Sequence, residues 1–185
     1  EYFNLMNQDI EQLKYPLGRY QPSEDIAPAQ LAAWIEELAT FPSRLRVVAE
    51  GLSDEQLDNP YRPEGWTLRQ VIHHLADSHM NAYIRFKLAI TEEYPTIKPY
   101  SEKLWAECSE AKFGPIASSL DLLETLHARW VLFLNTLEPA DFERTYFNPE
   151  QQKTSALKNV LGVYAWHGAH HLAHITETQK RNAWL

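Results

Sequence analysis

The chain has 185 residues, of which 44% are hydrophobic and 12% aromatic, enough for a sizeable core and too apolar for a disordered chain. Its 25 acidic side chains against 17 basic ones leave a formal charge of -8 at pH 7, the wrong sign for gripping phosphates, so a nucleic-acid partner is not expected. Cys108 is the one cysteine, which excludes an internal disulfide and suits a reducing, cytoplasmic setting, and no run approaches the ~18 apolar residues of a membrane span.

Residues 1–27 read as an irregular arm punctuated by Pro16, Gly18 and Pro22, and the polar stretch from Glu1 to Glu11 is unlike a signal peptide. A first helix follows, with Leu31, Trp34, Ile35, Leu38, Leu45 and Val48 on one side. Pro42 has no N–H for the carbonyl of Leu38, which predicts a kink or a break there. Ser53 and Gln56 have the spacing of a capping box and predict a short turn before the Pro60–Gly65 loop.

Thr67 and Gln70 repeat that spacing at the start of a second helix. Its apolar side is Leu68, Val71, Ile72, Leu75, Ala82, Tyr83 and Phe86. Pro95 and Pro99 end it and open a crossover in which Glu102–Cys108 reads as a short helix. A third long helix follows Pro115, with Ile116, Leu120, Leu123, Trp130, Val131, Leu134 and Leu137 inward. A loop from Pro139 to Thr154 leads to the fourth, whose buried side is marked by Leu157, Val160, Leu161, Tyr164, Leu172 and Ile175. Lys180 and Arg181 suit the negative end of its dipole.

Four amphipathic segments without β-type alternation predict an all-α protein, an up-down-up-down four-helix bundle with an irregular N-terminal arm and long crossovers. No composition shift divides the chain, so residues 1–185 are expected to form one domain. Bundles build metal and ligand sites from side chains that project inward. That turns attention to the histidines.

Four of the eight histidines, His167, His170, His171 and His174, fall within one stretch of the last helix, and His73, His74 and His79 lie on the second. Neutral imidazole is a ligand for zinc, nickel and iron. Two imidazoles four residues apart on a helix stand on one side and can reach one ion. At about 100° per residue, His167 and His171 fall on the buried side of the last helix, His174 at its edge and His170 farther out. The spacing therefore favours His167 with His171 over His170 with His174.

A third ligand has to come from another helix, and periodicity leaves His74 and His79 both open. His73 turns away from the apolar side together with Asp77. Ser78, Asn81 and Arg85 form a polar line below His74, a candidate pocket edge or an ordinary polar seam. His79 and His127, each on an apolar side, read best as hydrogen-bonded core histidines. A di-iron carboxylate site needs two Glu-x-x-His motifs, and only Glu124–His127 supplies one. A zincin needs His-Glu-x-x-His, whereas Gly168 stands in the glutamate's place. Cys108, without basic neighbours to activate it, reads as a buried or bystander thiol.

The stretch Tyr61-Arg62-Pro63-Glu64-Gly65-Trp66-Thr67-Leu68-Arg69-Gln70-Val71-Ile72-His73-His74-Leu75-Ala76-Asp77-Ser78-His79-Met80-Asn81 resembles the DinB superfamily, and more narrowly its YfiT group of proposed metal-dependent hydrolases related to bacillithiol S-transferases. Tyr15-Pro16-Leu17-Gly18-Arg19-Tyr20 and the segment from Tyr164 to Ile175 are similar to the same group. The resemblance implies that His74, His167 and His171 hold one divalent metal ion, zinc or nickel by preference, in a cytoplasmic homodimer. It implies a small-molecule substrate, while the net charge and the lack of a long apolar run argue against a nucleic-acid or membrane partner. A three-histidine site can activate a water or a thiol, and the resemblance implies S-transfer from a low-molecular-weight thiol such as bacillithiol to an electrophile. The alternatives are hydrolysis by an activated water and a non-catalytic, stress-associated metal-binding module.

Overall fold

Four long helices dominate the architecture in the computed structural model, which describes residues 10–23 and 25–184. They are α1 (Pro28–Ala49), α3 (Leu68–Thr91), α6 (Ala117–Leu134) and α7 (Leu157–Arg181). Between them lie the short helices α2 (Asp54–Leu57), α4 (Glu102–Ala106) and α5 (Ser109–Phe113), and a 3-10 turn at Pro139–Glu143. The first nine residues of the expected irregular arm lie outside the described residues; within the arm, residues 10–14 are helical and residues 15–23 are irregular.

Local chemistry sets the helix starts. Ser53 accepts from the Gln56 N–H and Gln56 returns the bond to the Ser53 N–H, and Thr67 and Gln70 do the same at the head of α3. Gln70 also donates to the Ala106 carbonyl at 2.7 Å, tying that cap to α4. The buried Arg69 guanidinium bonds Asp54, Asp58 and the Gly114 carbonyl, so the first crossover, α3 and the end of α5 are stapled through one side chain.

Pro42 does not break α1, which runs unbroken from Pro28 to Ala49. The hydrogen bond that proline forfeits is replaced, because the Leu38 carbonyl accepts instead from the His127 ring at 2.7 Å.

The bundle is present, but its ring order is not that of a simple meander. α1 packs against α6 and α7, and α3 packs against the same two, so the first and second long helices face each other across one diagonal and the third and fourth across the other. The long connections permit this, since none is short enough to force its two helices side by side. The last connection also holds what periodicity does not reveal, an antiparallel hairpin of β1 (Thr145–Asn148) and β2 (Lys153–Ala156). Its strands are four residues each, too short to show alternation. Phe147 is fixed on its other edge by hydrogen bonds with Pro95 and Ile97 at 2.9 Å each.

Two apolar clusters fill the bundle. One gathers Leu38, Phe86, Trp130, Leu134, Leu157 and Leu161, the other Phe41, Leu45, Val71, Ile72, Leu75 and Leu123. Each fully buried Leu, Ile or Phe contributes roughly 1.5–3 kcal/mol, so the fold rests on these layers. Where the clusters meet, His79 stacks on Phe41 from one and stands edge-on to Trp130 and Tyr164 from the other. The polar heart of the protein lies at that boundary.

Candidate metal centre

α3 and α7 pack directly against each other, which brings the second-helix histidines onto the last-helix cluster. Ring nitrogens of His74, His167 and His171 all lie within 4.8 Å of one another. His74 Nε2 and His167 Nε2 are 3.2 Å apart. Two nitrogens each about 2.0–2.1 Å from a common ion would be about 3.3 Å apart at a tetrahedral angle, so this separation fits two ligands of one cation. Periodicity does not choose between His74 and His79; the structure places His74 with the pair and turns His79 to the opposite nitrogen of His167, Nδ1, at 3.2 Å.

Burial makes these rings good donors. It lowers the His74 imidazole to about 4. His167 and His171 lie well below the usual histidine range, from burial first and then from the neighbouring imidazoles. All three are neutral at pH 7 and carry a free lone pair. Three neutral nitrogens of this kind suit a divalent ion of borderline softness.

The other two last-helix histidines are not at the surface. His170 is 6% and His174 3% exposed, contrary to the outward position their helical angle gives His170. The reason is the cover over α7. His170 stacks on Trp166 at 4.4 Å and faces Tyr15, while His174 stacks on Tyr61 at 4.0 Å and reaches the Lys14 carbonyl at 3.0 Å. His170, His171 and His174 form a second close group of nitrogens. The N-terminal arm and the Tyr61 loop thus wrap the site. Left-handed Gly18, with φ 75°, turns the arm back behind Tyr15.

Two clefts flank Tyr61. One, of about 630 Å³, runs along His174 between the arm and α7; the other, of about 540 Å³, runs along Trp66, whose ring lies 4.8 Å from His74. Either has the volume of a small-molecule site.

The remaining candidates separate cleanly. Ser78 is buried and donates to the Tyr164 hydroxyl at 3.4 Å, and the Tyr164 ring packs on His167, which brings Ser78 to the edge of the site. Asn81 donates to the Asp77 carbonyl one turn back, a local bond within α3. Arg85 is half-buried and faces Glu102 and Tyr146. His73 does turn away from the apolar side, yet it is buried, bonded to Ser119 at 2.7 Å under the α5–α6 junction. Glu124, the acid of the lone Glu-x-x-His motif, points outward to Arg46, so it brings no carboxylate to the site. Cys108 is exposed, not buried, and its thiol donates to the Leu104 carbonyl at 3.5 Å.

The residues that sequence reasoning set aside are His79 and His127. They read as hydrogen-bonded core histidines, and both are buried and bonded; His79 Nδ1 and His127 Nε2 are 2.8 Å apart, so they bond to each other and through His79 to His167. The available signal was that both are polar residues on apolar stripes; which nitrogen meets which requires the packed helices.

A helical bundle with imidazoles from two facing helices converging at its waist defines the class. The chain belongs to the DinB superfamily, whose pattern matches residues 37–175. It is 49% identical over 172 residues to YfiT of Bacillus subtilis (strain 168), a proposed metal-dependent hydrolase, covering 93% of this chain and 97% of that one. A protein of Oceanobacillus iheyensis, likewise proposed to be a metal-dependent hydrolase, is 54% identical over 171 residues, 92% of this chain and 98% of its own length. The solved structure of B. subtilis YfiT, described as having an unusual four-helix bundle topology, superposes with a TM-score of 0.92 over 94% of this chain and 99% of that one. The mycothiol-dependent maleylpyruvate isomerase shares the fold at a TM-score of 0.63 with 15% identity, over 78% of this chain and 60% of its own.

Proposed function

We propose that this chain is a metal-dependent enzyme that binds one divalent cation, zinc or nickel, through His74, His167 and His171 and transfers a low-molecular-weight thiol, of the bacillithiol type, to an electrophile. The observation that carries this reading is the donor set: three neutral imidazoles, buried His74 and His171 and half-buried His167, converging from α3 and α7. Such ligands leave a bound cation its full +2 charge and, with a position left open, let it lower the pKa of a thiol or a water brought to it.

The protein's own groups do the rest. His74, His167 and His171 hold their lone pairs toward one point. Trp66 packs on His74 and Tyr61 on His174, and each borders a cleft with the volume of a small substrate. Ser78 and Tyr164 place hydroxyls at the edge of the site, where they can donate to a polar group of the substrate. The close histidine groups contain no carboxylate among the described residues, which suits an anionic thiolate nucleophile that needs no separate base. The fold neighbour named for its mycothiol dependence adds support to thiol chemistry.

Hydrolysis is the second reading, favoured by the names of relatives that match nearly the whole chain. Elemental analysis of the purified protein, followed by assays of metal-loaded and metal-stripped enzyme, separates the two. Bacillithiol with a chlorodinitrobenzene-type electrophile should turn over only with metal present. Turnover of ester or amide substrates without any thiol, and none with it, would instead establish hydrolysis. Metal bound without either activity would leave a binding module.

A further inference from the structure

Behind His167, two buried imidazoles stand in series and end on a main-chain carbonyl. His127 Nδ1 lies 2.7 Å from the Leu38 oxygen. A carbonyl only accepts, so neutral His127 carries its proton on Nδ1 and keeps a lone pair on Nε2. That Nε2 is 2.8 Å from His79 Nδ1, which must therefore donate, leaving His79 Nε2 bare. His79 Nε2 is in turn 3.2 Å from His167 Nδ1, which donates to it. The series leaves His167 with a free Nε2, the atom that faces His74 Nε2.

A shorter series stands behind His171. His174 Nε2 donates to the Lys14 carbonyl at 3.0 Å, so its Nδ1 accepts from His171 Nδ1 at 3.1 Å. His171 is likewise left with a free Nε2.

Both anchoring carbonyls are ones that a helix cannot use. Leu38 would bond the N–H of residue 42, and Pro42 has none. Lys14 closes the helical turn at residues 10–14, where the last carbonyls lack partners.

We infer that His127, His79 and His174 are positioning residues through which the orphaned carbonyls of Leu38 and Lys14 fix the tautomers of His167 and His171, each with its proton on Nδ1 and its Nε2 lone pair directed at the metal. This rests on the reading that His74, His167 and His171 are the ligands. Supporting groups of this kind typically change metal affinity 10–100-fold.

Long-range ¹⁵N–¹H correlation spectra of the metal-free protein test the tautomers directly. His167, His171, His79 and His127 should be protonated on Nδ1 and His174 on Nε2; an Nε2–H form of His167 or His171 would overturn the inference. Competition of each variant with a chelating dye for Zn²⁺ tests the consequence. His127→Phe fills the space but cannot accept from His79, and should weaken Zn²⁺ binding about 10–100-fold. His127→Gln, whose amide can donate to Leu38 and accept from His79, should restore it to within about threefold. Equal losses in both variants would mean that His127 only packs, and no loss in either would mean that it is silent; both results reject the inference. His74→Ala isolates the underlying reading, because Zn²⁺ bound as in the wild type there would remove the ligand set itself. Should His127→Phe fail to fold, the wild-type spectra decide.

Discussion

His171 belongs to two groups of three histidines, and they differ in what their nitrogens are free to do. The first joins His74 of α3 to His167 and His171 of α7; the second, His170, His171 and His174, comes from α7 alone. In the second group His174 spends one nitrogen on His171 and the other on the Lys14 carbonyl, and His170 is sandwiched against Trp166. In the first group each ring keeps a nitrogen facing a common point. Closeness of imidazoles therefore does not tell the two groups apart. The partner of each ring's other nitrogen does.

The largest effect expected from that contrast is on metal content. His74→Ala and His171→Ala should each lower Zn²⁺ affinity by more than about 100-fold, beyond what loss of a supporting group costs, whereas His170→Ala should stay within about threefold. Elemental analysis and chelator competition read both. Circular dichroism should show helicity nearly intact in all three, since the apolar clusters carry the fold. Metal retained in His74→Ala but lost in His170→Ala would reverse the assignment of the two groups.

Gly168 tests how tightly the first group is supported. A Cβ there would meet the Phe41 ring at 3.0–3.1 Å, and Phe41 in turn packs on His79 and His127. Gly168→Ala should cost roughly 1–3 kcal/mol in urea unfolding and weaken metal binding as well. A variant as stable as the parent would show that Phe41 has room to move.

The metal-free protein should lose stability in acid. His74, His127, His170 and His174 are held down to about 4 by burial, while in the unfolded chain they take up protons below about 6.5. Protons therefore favour the unfolded state between those values: the stability is fully present above pH 6.5, falls as pH drops toward 4, and levels off below. Asp77, raised to about 6 by burial, and Glu102, also raised, act in the opposite sense but are fewer. Urea midpoints at pH 7 and pH 5, with and without Zn²⁺, measure the slope. A midpoint unchanged at pH 5 without metal would contradict the buried, neutral state of both groups.

Cys108→Ser should have the smallest effect, none on turnover or metal content, because the thiol is exposed and stands outside both groups. A loss of thiol-transfer activity in that variant would shift the nucleophile from the cosubstrate to the protein.

Much of the scaffold was legible along the chain. The capping boxes at Ser53 and Thr67 lie where Ser/Thr-x-x-Gln spacing predicts them, and Leu120, Leu123, Trp130 and Leu134 are buried as their period requires. Pro42 was legible too, but only half of its meaning. The missing N–H is a property of the residue, whereas the imidazole that takes its place comes from α6, 85 positions away by residue number (127 minus 42).

The order of residues determined the helices, their caps, the inward side of α7 and the pairing of His167 with His171 on it. Tertiary structure alone decided the diagonal ring order, the burial of His170 under the arm, and the hydrogen-bonded series that runs through His79 and His127. Periodicity fixes the direction of a side chain about its own axis. Which atom it meets, and therefore which of its nitrogens keeps a lone pair, depends on a second helix and on a carbonyl that nothing else satisfies.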